Sequence, residues 1–150
     1  MHISGMFLSQ WVFIMADKQA VILTSGKRKR AIARADCRKG KGRIIVNNMP
    51  YQFYEPKVAR LMITEPVLLS GDWAKKVDIH VRVSGGGIQG QAEAARLAIA
   101  RALVEFSRDA VLKKSFLDYD RHLLIADVRR KEMCKPNDSK ARAKRQKSYR

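Results

Sequence analysis

Residues 77–106 read VDIHVRVSGGGIQGQAEAARLAIARALVEF, and this stretch decides the fold. Val77, Ile79, Val81 and Val83 alternate with Asp78, His80 and Arg82. A period of two marks a strand with one buried face and one wet face. Gly85, Gly86, Gly87 and Gly90 follow, and residues without a Cβ let the chain turn sharply. From Ile88 the period lengthens. Ile88, Ala92, Ala95, Ile99, Ala102 and Phe106 recur every three or four positions and form one apolar stripe. The stretch predicts a strand, a glycine turn and a core helix whose alanines let it lie close against a sheet.

The same glycines spell Gly85-x-Gly87-x-x-Gly90, a dinucleotide fingerprint that would hold a phosphate at a helix N-terminus. Three features argue against that use. A parallel strand buried on both faces should be almost continuously apolar, and this one alternates. The fingerprint wants an acid about 20 positions on, at the end of a second strand, whereas Glu105 and Asp109 fall in or just after the helix. Too little chain remains for the second half of a doubly wound fold. A close-packed structural turn is favoured, with Gly87 expected at positive φ. Holding an RNA phosphate at the helix start is the alternative use of the same turn.

The chain has 150 residues, 46% hydrophobic, which suits one domain with tails. Its net charge of +17 calls for a polyanionic partner. The charge is concentrated at the ends. Residues 1–43 carry +8, residues 44–128 carry +1 and residues 129–150 carry +8. A solvated surface would mix the signs, so the ends are read as nucleic-acid segments, with an anionic membrane surface as second choice. No apolar run reaches about 18 residues, so no membrane span is expected. Cys37 and Cys134 make no CxxC pair and no zinc set with His2, His80 and His122, so both are read as reduced thiols.

Residues 1–14, MHISGMFLSQWVFI, lack the basic start and small-residue cleavage site of a signal peptide. Their status is doubtful, and Met15 is expected to be the natural start. Residues 20–24 suggest a short edge strand. Between Lys27 and Arg43 stand nine basic residues and one acid, Asp36. Ala31, Ala33 and Ala35 alternate with Ile32 and Arg34, which predicts a strand with arginine on its wet face. Gly40 and Gly42 frame Lys41 in an expected hairpin loop, with residues 43–47 as the return strand and 48–50 as a turn. This basic hairpin, 27–43, would present Arg34, Lys39, Lys41 and Arg43. A localisation signal is the runner-up reading of the cluster.

Pro56 predicts the start of a short helix over 57–63, stopped before Pro66. A further apolar turn, 67–69, leads into the central strand. Ser107 or Asp109 can cap a helix over 110–116. Residues 123–128 are the last candidate strand, closing a globular domain over 15–128. Residues 129–150 carry almost nothing apolar and are expected to form an extended tail that orders on its partner. No catalytic constellation is present. Asp118, Asp120 and Asp127 cluster near the last strand, and pairing with neighbouring arginines is preferred over a metal or acid–base role. His80 is expected on the strand's polar face. No metal site, cofactor or enzymatic activity is expected.

Four pieces, SGKRKRAIARA at 25–35, GRIIVNN at 42–48, SGGGIQGQAEAARLAIARAL at 84–103 and DVRRKE…KP…KARAKRQKSYR at 127–150, resemble the small-subunit ribosomal protein nine family, archaeal and eukaryotic type. The resemblance spans residues 20–150. It implies a single α/β domain, α+β-like, with a mostly antiparallel sheet backed by helices and a left-handed crossover, similar to the second domain of ribosomal protein five. It implies a structural constituent of the cytoplasmic ribosome with no membrane contact. The partners implied are ribosomal RNA in the subunit head, neighbouring head proteins and the anticodon stem-loop of peptidyl-site tRNA. The residues expected to meet ribosomal RNA are Lys27, Arg28, Lys29, Arg30, Arg34, Lys39, Lys41, Arg43, Arg129, Arg130, Lys135, Lys140, Arg142, Lys144 and Arg145. By the same resemblance Lys147, Ser148, Tyr149 and Arg150 form the tip that contacts tRNA. Val128 stands where the family pattern has proline, which implies a looser exit for the tail. A free-standing RNA- or DNA-binding module is the rival reading, and a nucleotide-using enzyme is the third.

Overall fold

The alternation read at 77–83 builds the centre of a five-stranded sheet in the computed structural model, which describes residues 21–136 and 141–142. The strands are β1 (Ile22–Arg28), β2 (Ala31–Lys39), β3 (Ile44–Val46), β4 (Met49–Pro50) and β5 (Val77–Ser84). The helices are α1 (Lys57–Ser70), α2 (Ile88–Ser107) and α3 (Ala110–Tyr119). Spatial order is β1-β2-β5-β3-β4. All neighbours are antiparallel except β3 and β5, which run parallel through a crossover that carries α1. The fold is a single α/β domain with a mostly antiparallel sheet, as the resemblance implied.

The helices cover one face of the sheet. Ala31, Ala33, Ala35 and Cys37 of β2 and Val77, Ile79, Val81 and Val83 of β5 point into this core. The outward positions Ile32, Arg34, Arg38, His80, Arg82 and Ser84 are exposed. On α2, Ala92, Ala95, Ile99 and Ala102 are buried as the periodicity demands, while Ile88 is exposed and Phe106 only partly buried. The buried surface is wider than one stripe. Ala94, Leu97, Ala98, Ala100 and Leu103 are buried as well, because α2 lies between the sheet and α1. Small side chains allow the close approach. A Cβ added at Gly26 of β1 would lie 2.0 Å from the Ala94 carbonyl oxygen. The Thr24 hydroxyl donates to the Ala98 carbonyl at 2.9 Å and ties the same strand to the helix.

Several expectations need correction. The edge strand extends from Ile22 to Arg28, so it takes in the first half of the KRKR cluster. Residues 31–39 and 43–47 do not form a hairpin, because β5 lies between β2 and β3. The hairpin is instead β1–β2, turned by Lys29 and Arg30. The turn expected over 48–50 falls at Asn47 and Asn48, both at positive φ, a conformation asparagine tolerates. Pro66 does not stop α1. Ala59, Ile63, Pro66 and Ser70 share one buried face, and their packing outweighs the lost backbone bond of about 3 kcal/mol. Asp109, and not Ser107, caps α3 by accepting from the Val111 N–H at 2.8 Å, and the helix runs on to Tyr119. Residues 123–128 form no strand. A 3-10 turn, Arg121–Leu123, leads into irregular chain, and Leu123 alone of the run is fully buried. No helix among the described residues is long and apolar enough to cross a membrane.

Candidate nucleic-acid interface

The two basic segments of the sequence meet at one end of the molecule. Lys27, Lys29, Arg30, Arg130 and Lys131 line one depression of about 260 Å³ together with Ile32, and no carboxylate lines it. The hairpin supplies the first three cations and the root of the tail supplies the last two. Lys131 was not among the residues singled out from the sequence.

The glycine turn supports this end from below. Gly85 and Gly86 have φ of +74° and +68°, where a side chain is strained. A Cβ at Gly85 would stand 2.7 Å from the Arg30 carbonyl oxygen, and one at Gly86 would stand 2.9 Å from the Ala31 nitrogen. The turn is thus the floor on which the hairpin tip rests. Gly87 corrects the expectation: its φ is −107°, and nothing lies within 4 Å of an added Cβ. The Gln91 side chain donates to the Gly85 carbonyl at 3.2 Å and closes the turn on itself. Among the described residues no strand follows β5, so the second strand of a dinucleotide fold is missing.

Arg28 differs from its neighbours. It points inward and pairs with Glu93 of α2 and with Asp127 at the end of the irregular segment. These pairs make it a tie between β1, α2 and the segment before the tail. Asp127 also accepts from the Arg129 backbone N–H at 2.8 Å and from Arg129 Nη2 at 2.7 Å. The Arg129 guanidinium and N–H, with Arg28 behind them, hold the Asp127 carboxyl well below the usual carboxylate range. Arg129 and Arg130 are exposed, as is Lys135. Arg142 is exposed and pairs with Glu132 at 2.8 Å. Lys140, Lys144, Arg145, Lys147, Ser148, Tyr149 and Arg150 lie outside the described residues, as does the segment 1–14.

The remaining candidates lie elsewhere. Lys39, Lys41 and Arg43 sit at the far end of β2, about 25 Å from the hairpin tip at roughly 3.3 Å per residue. Asp78 organises that loop by accepting from the backbone N–H groups of Lys41 and Arg43 at 2.8 and 2.9 Å. Burial works to raise the Asp78 pKa, but these donors and the Arg43 charge outweigh it and hold it below the ordinary range. Arg34 stands on the open face of the sheet, directly across from Arg82. Arg82 pairs with Asp36 at 3.0 Å, and Arg38 and His80 share the same face. The period-two pattern that exposes Arg34 and His80 also exposes Arg38 and Arg82, which were not singled out from the sequence as site residues.

Of the three aspartates clustered in the sequence, Asp120 and Asp127 serve as ion-pair partners. Arg96 of α2 meets Glu65 of α1 at 2.5 Å and Asp120 at 2.8 Å, which welds both helices to the segment after α3. Asp118 is exposed. No group of side chains among the described residues is suited to hold a metal ion.

Residues 26–150 match the family described as ribosomal protein S9/S16. The chain is also 49% identical over 130 residues to the small ribosomal subunit protein uS9 of Methanothrix thermoacetophila, an alignment covering 87% of this chain and 98% of that one. The match takes in the β1–β2 hairpin, the glycine turn, α2 and the tail, and the chain belongs to the ribosomal protein S9/S16 family.

Proposed function

We propose that this small-subunit ribosomal protein binds ribosomal RNA of the subunit head through the hairpin–tail end, and that its tail runs on to peptidyl-site tRNA. The observation that carries the reading is the convergence of Lys27, Lys29, Arg30, Arg130 and Lys131 with no acid among them. Phosphate contacts supply most nucleic-acid affinity and need cations in number, not in a sequence code. Arginine adds a planar fork that meets phosphate in a bidentate manner and stacks on bases. The loop of Lys39, Lys41 and Arg43 and the Arg34–Arg82 face are further contact surfaces for RNA or for neighbouring head proteins. In this role the protein is a structural part of the ribosome in the cytoplasm and not an enzyme, and it needs no cofactor.

The test is binding of the full chain to a transcript of the head region of small-subunit RNA over a salt series. Replacing Lys29 and Arg30 together by Ala removes two phosphate contacts. For duplex RNA treated like B-form DNA, each contact contributes about 0.9 to the salt slope, so the slope should fall by about 1.8. An unchanged slope and affinity would remove the hairpin tip from the interface.

A further inference from the structure

Asp127 is the last largely buried anchor before the tail. Its side chain is 10% exposed, and every described residue from 128 to 136 is exposed and without regular structure. Its carboxylate faces two arginines at once. Arg28 comes from the end of β1 and is itself held by Glu93 of α2; Arg129 is the first residue of the tail. The backbone N–H of Arg129 also donates to it, so the carboxylate fixes the direction of the main chain as well as a side chain. The next two residues, Arg130 and Lys131, stand beside Lys27, Lys29 and Arg30. Five cations with no acid among them repel one another, and without a tie a tail of this composition would swing away from the hairpin.

We propose that Asp127 is a positioning residue that locks the tail root against the β1–β2 hairpin, so that both basic segments present one preformed polyanion site. The proposal deepens the RNA-binding reading given above and rests on it. It makes a prediction opposite in sign to simple electrostatics. Asp127→Asn adds one unit of positive charge beside the cation cluster, so charge alone would tighten RNA binding. A lost clamp weakens it, because ordering the tail root must then be supplied on binding.

The experiment uses the full chain and the head-region RNA transcript. For Asp127→Asn the clamp predicts binding weaker by about fivefold, the size expected when about one residue must be newly ordered. The Lys29→Ala, Arg30→Ala double variant is measured alongside. Tighter or unchanged binding by Asp127→Asn, with weaker binding by the double variant, overturns the clamp and leaves the RNA site standing. Unchanged binding by the double variant overturns the site and the clamp together.

A second readout reports tail position without RNA. Spin labels are placed on the exposed Cys134 and on a Ser25→Cys variant on the open sheet face, while buried Cys37 stays unlabelled. The distance distribution should widen in Asp127→Asn. It should also widen, though less, in Arg129→Gln, which keeps the Arg28–Asp127 pair and the backbone N–H bond and loses only the guanidinium contacts, and which covers the case of an unfolded Asp127 variant. An unchanged distribution in either folded variant overturns the proposal.

Discussion

Two neighbouring glycines should respond in opposite ways to the same methyl group. At Gly86 the backbone has φ of +68°, and an added Cβ would lie 2.9 Å from the Ala31 nitrogen and 3.1 Å from the Ala31 Cβ. Alanine in the left-handed region costs about 1–2 kcal/mol. Forcing a methyl against a close-packed backbone costs about 1–3 kcal/mol more. The sum for Gly86→Ala is roughly 3 kcal/mol, which lowers the melting temperature of a domain this size by about 10 °C. At Gly87 φ is −107° and the space is open, so Gly87→Ala should be neutral or stabilising by about 0.5 kcal/mol through the unfolded chain. Urea unfolding of both variants, followed by circular dichroism, measures the difference as a shift in midpoint at constant slope. Equal effects at the two positions would refute the reasoning, because they would mean that the hairpin tip does not rest on this turn.

Burial raises the Cys37 thiol pKa to about 11, with Asp78 and Glu105 adding to the shift. One thiol per folded chain, that of the exposed Cys134, should therefore react quickly with a disulfide reagent near neutral pH, and both should react in denaturant. Fast reaction of two would contradict the burial. The Asp120 and Asp127 carboxyls are held below the ordinary carboxylate range in the folded protein: at Asp120 burial pulls upward but the His122 N–H and Arg96 outweigh it, and at Asp127 Arg129 is the chief cause. A depressed carboxylate contributes stability above its unfolded pKa and loses it as pH falls through the folded one. The urea midpoint should hold from pH 7 to about 4 and then drop, and it should drop less in Asp127→Asn. Truncation after Gln146 should leave the melting temperature unchanged while weakening peptidyl-site tRNA binding of assembled particles. The salt slope of that binding should change by roughly 1.4, for two lost contacts to single-stranded nucleic acid.

The parts legible in the sequence are those fixed by local period. The alternation of 77–83, the glycine turn and the helix spacing of 88–106 each depend on residues a few positions apart, and each formed where expected. Strand neighbours are not a local property. The GKGR stretch has the chemistry of a hairpin loop, but nothing within it shows that β5 inserts between the flanking strands. Pro66 misled for a related reason, since its local penalty is overcome by packing that only the fold supplies. Arg28 is the sharpest case among the site residues. In KRKR it is chemically equivalent to its neighbours, and its acidic partners lie 65 and 99 positions away. The short apolar run at 123–128 carried no period at all, and such runs do not distinguish strand from irregular packed chain.

The near-neutral charge of residues 44–128 conceals how the surface is arranged. Those residues contain ten acids against eleven cations, which alone would suggest a domain indifferent to RNA. Many of the acids are turned toward internal tasks. Glu65 and Asp120 hold Arg96, Glu93 and Asp127 hold Arg28, Asp78 holds the loop of Lys41 and Arg43, and Asp109 caps α3. Each is fixed in place by a partner that the fold needs, and all but Asp109, which accepts from a backbone N–H, are neutralised where they stand by an arginine. The cations at the hairpin tip and tail root have no acid in the depression they share. A polyanion approaching that end therefore meets a surface more positive than the domain's formal charge implies. The internal acids have a second effect there: by fixing Arg28 and Arg129 they hold the hairpin and the tail side by side. The cations open to a polyanion, Lys27, Lys29, Arg30, Arg130 and Lys131, are thus set in place by paired neighbours, Arg28, Asp127 and Arg129, whose own charges are largely spent on one another.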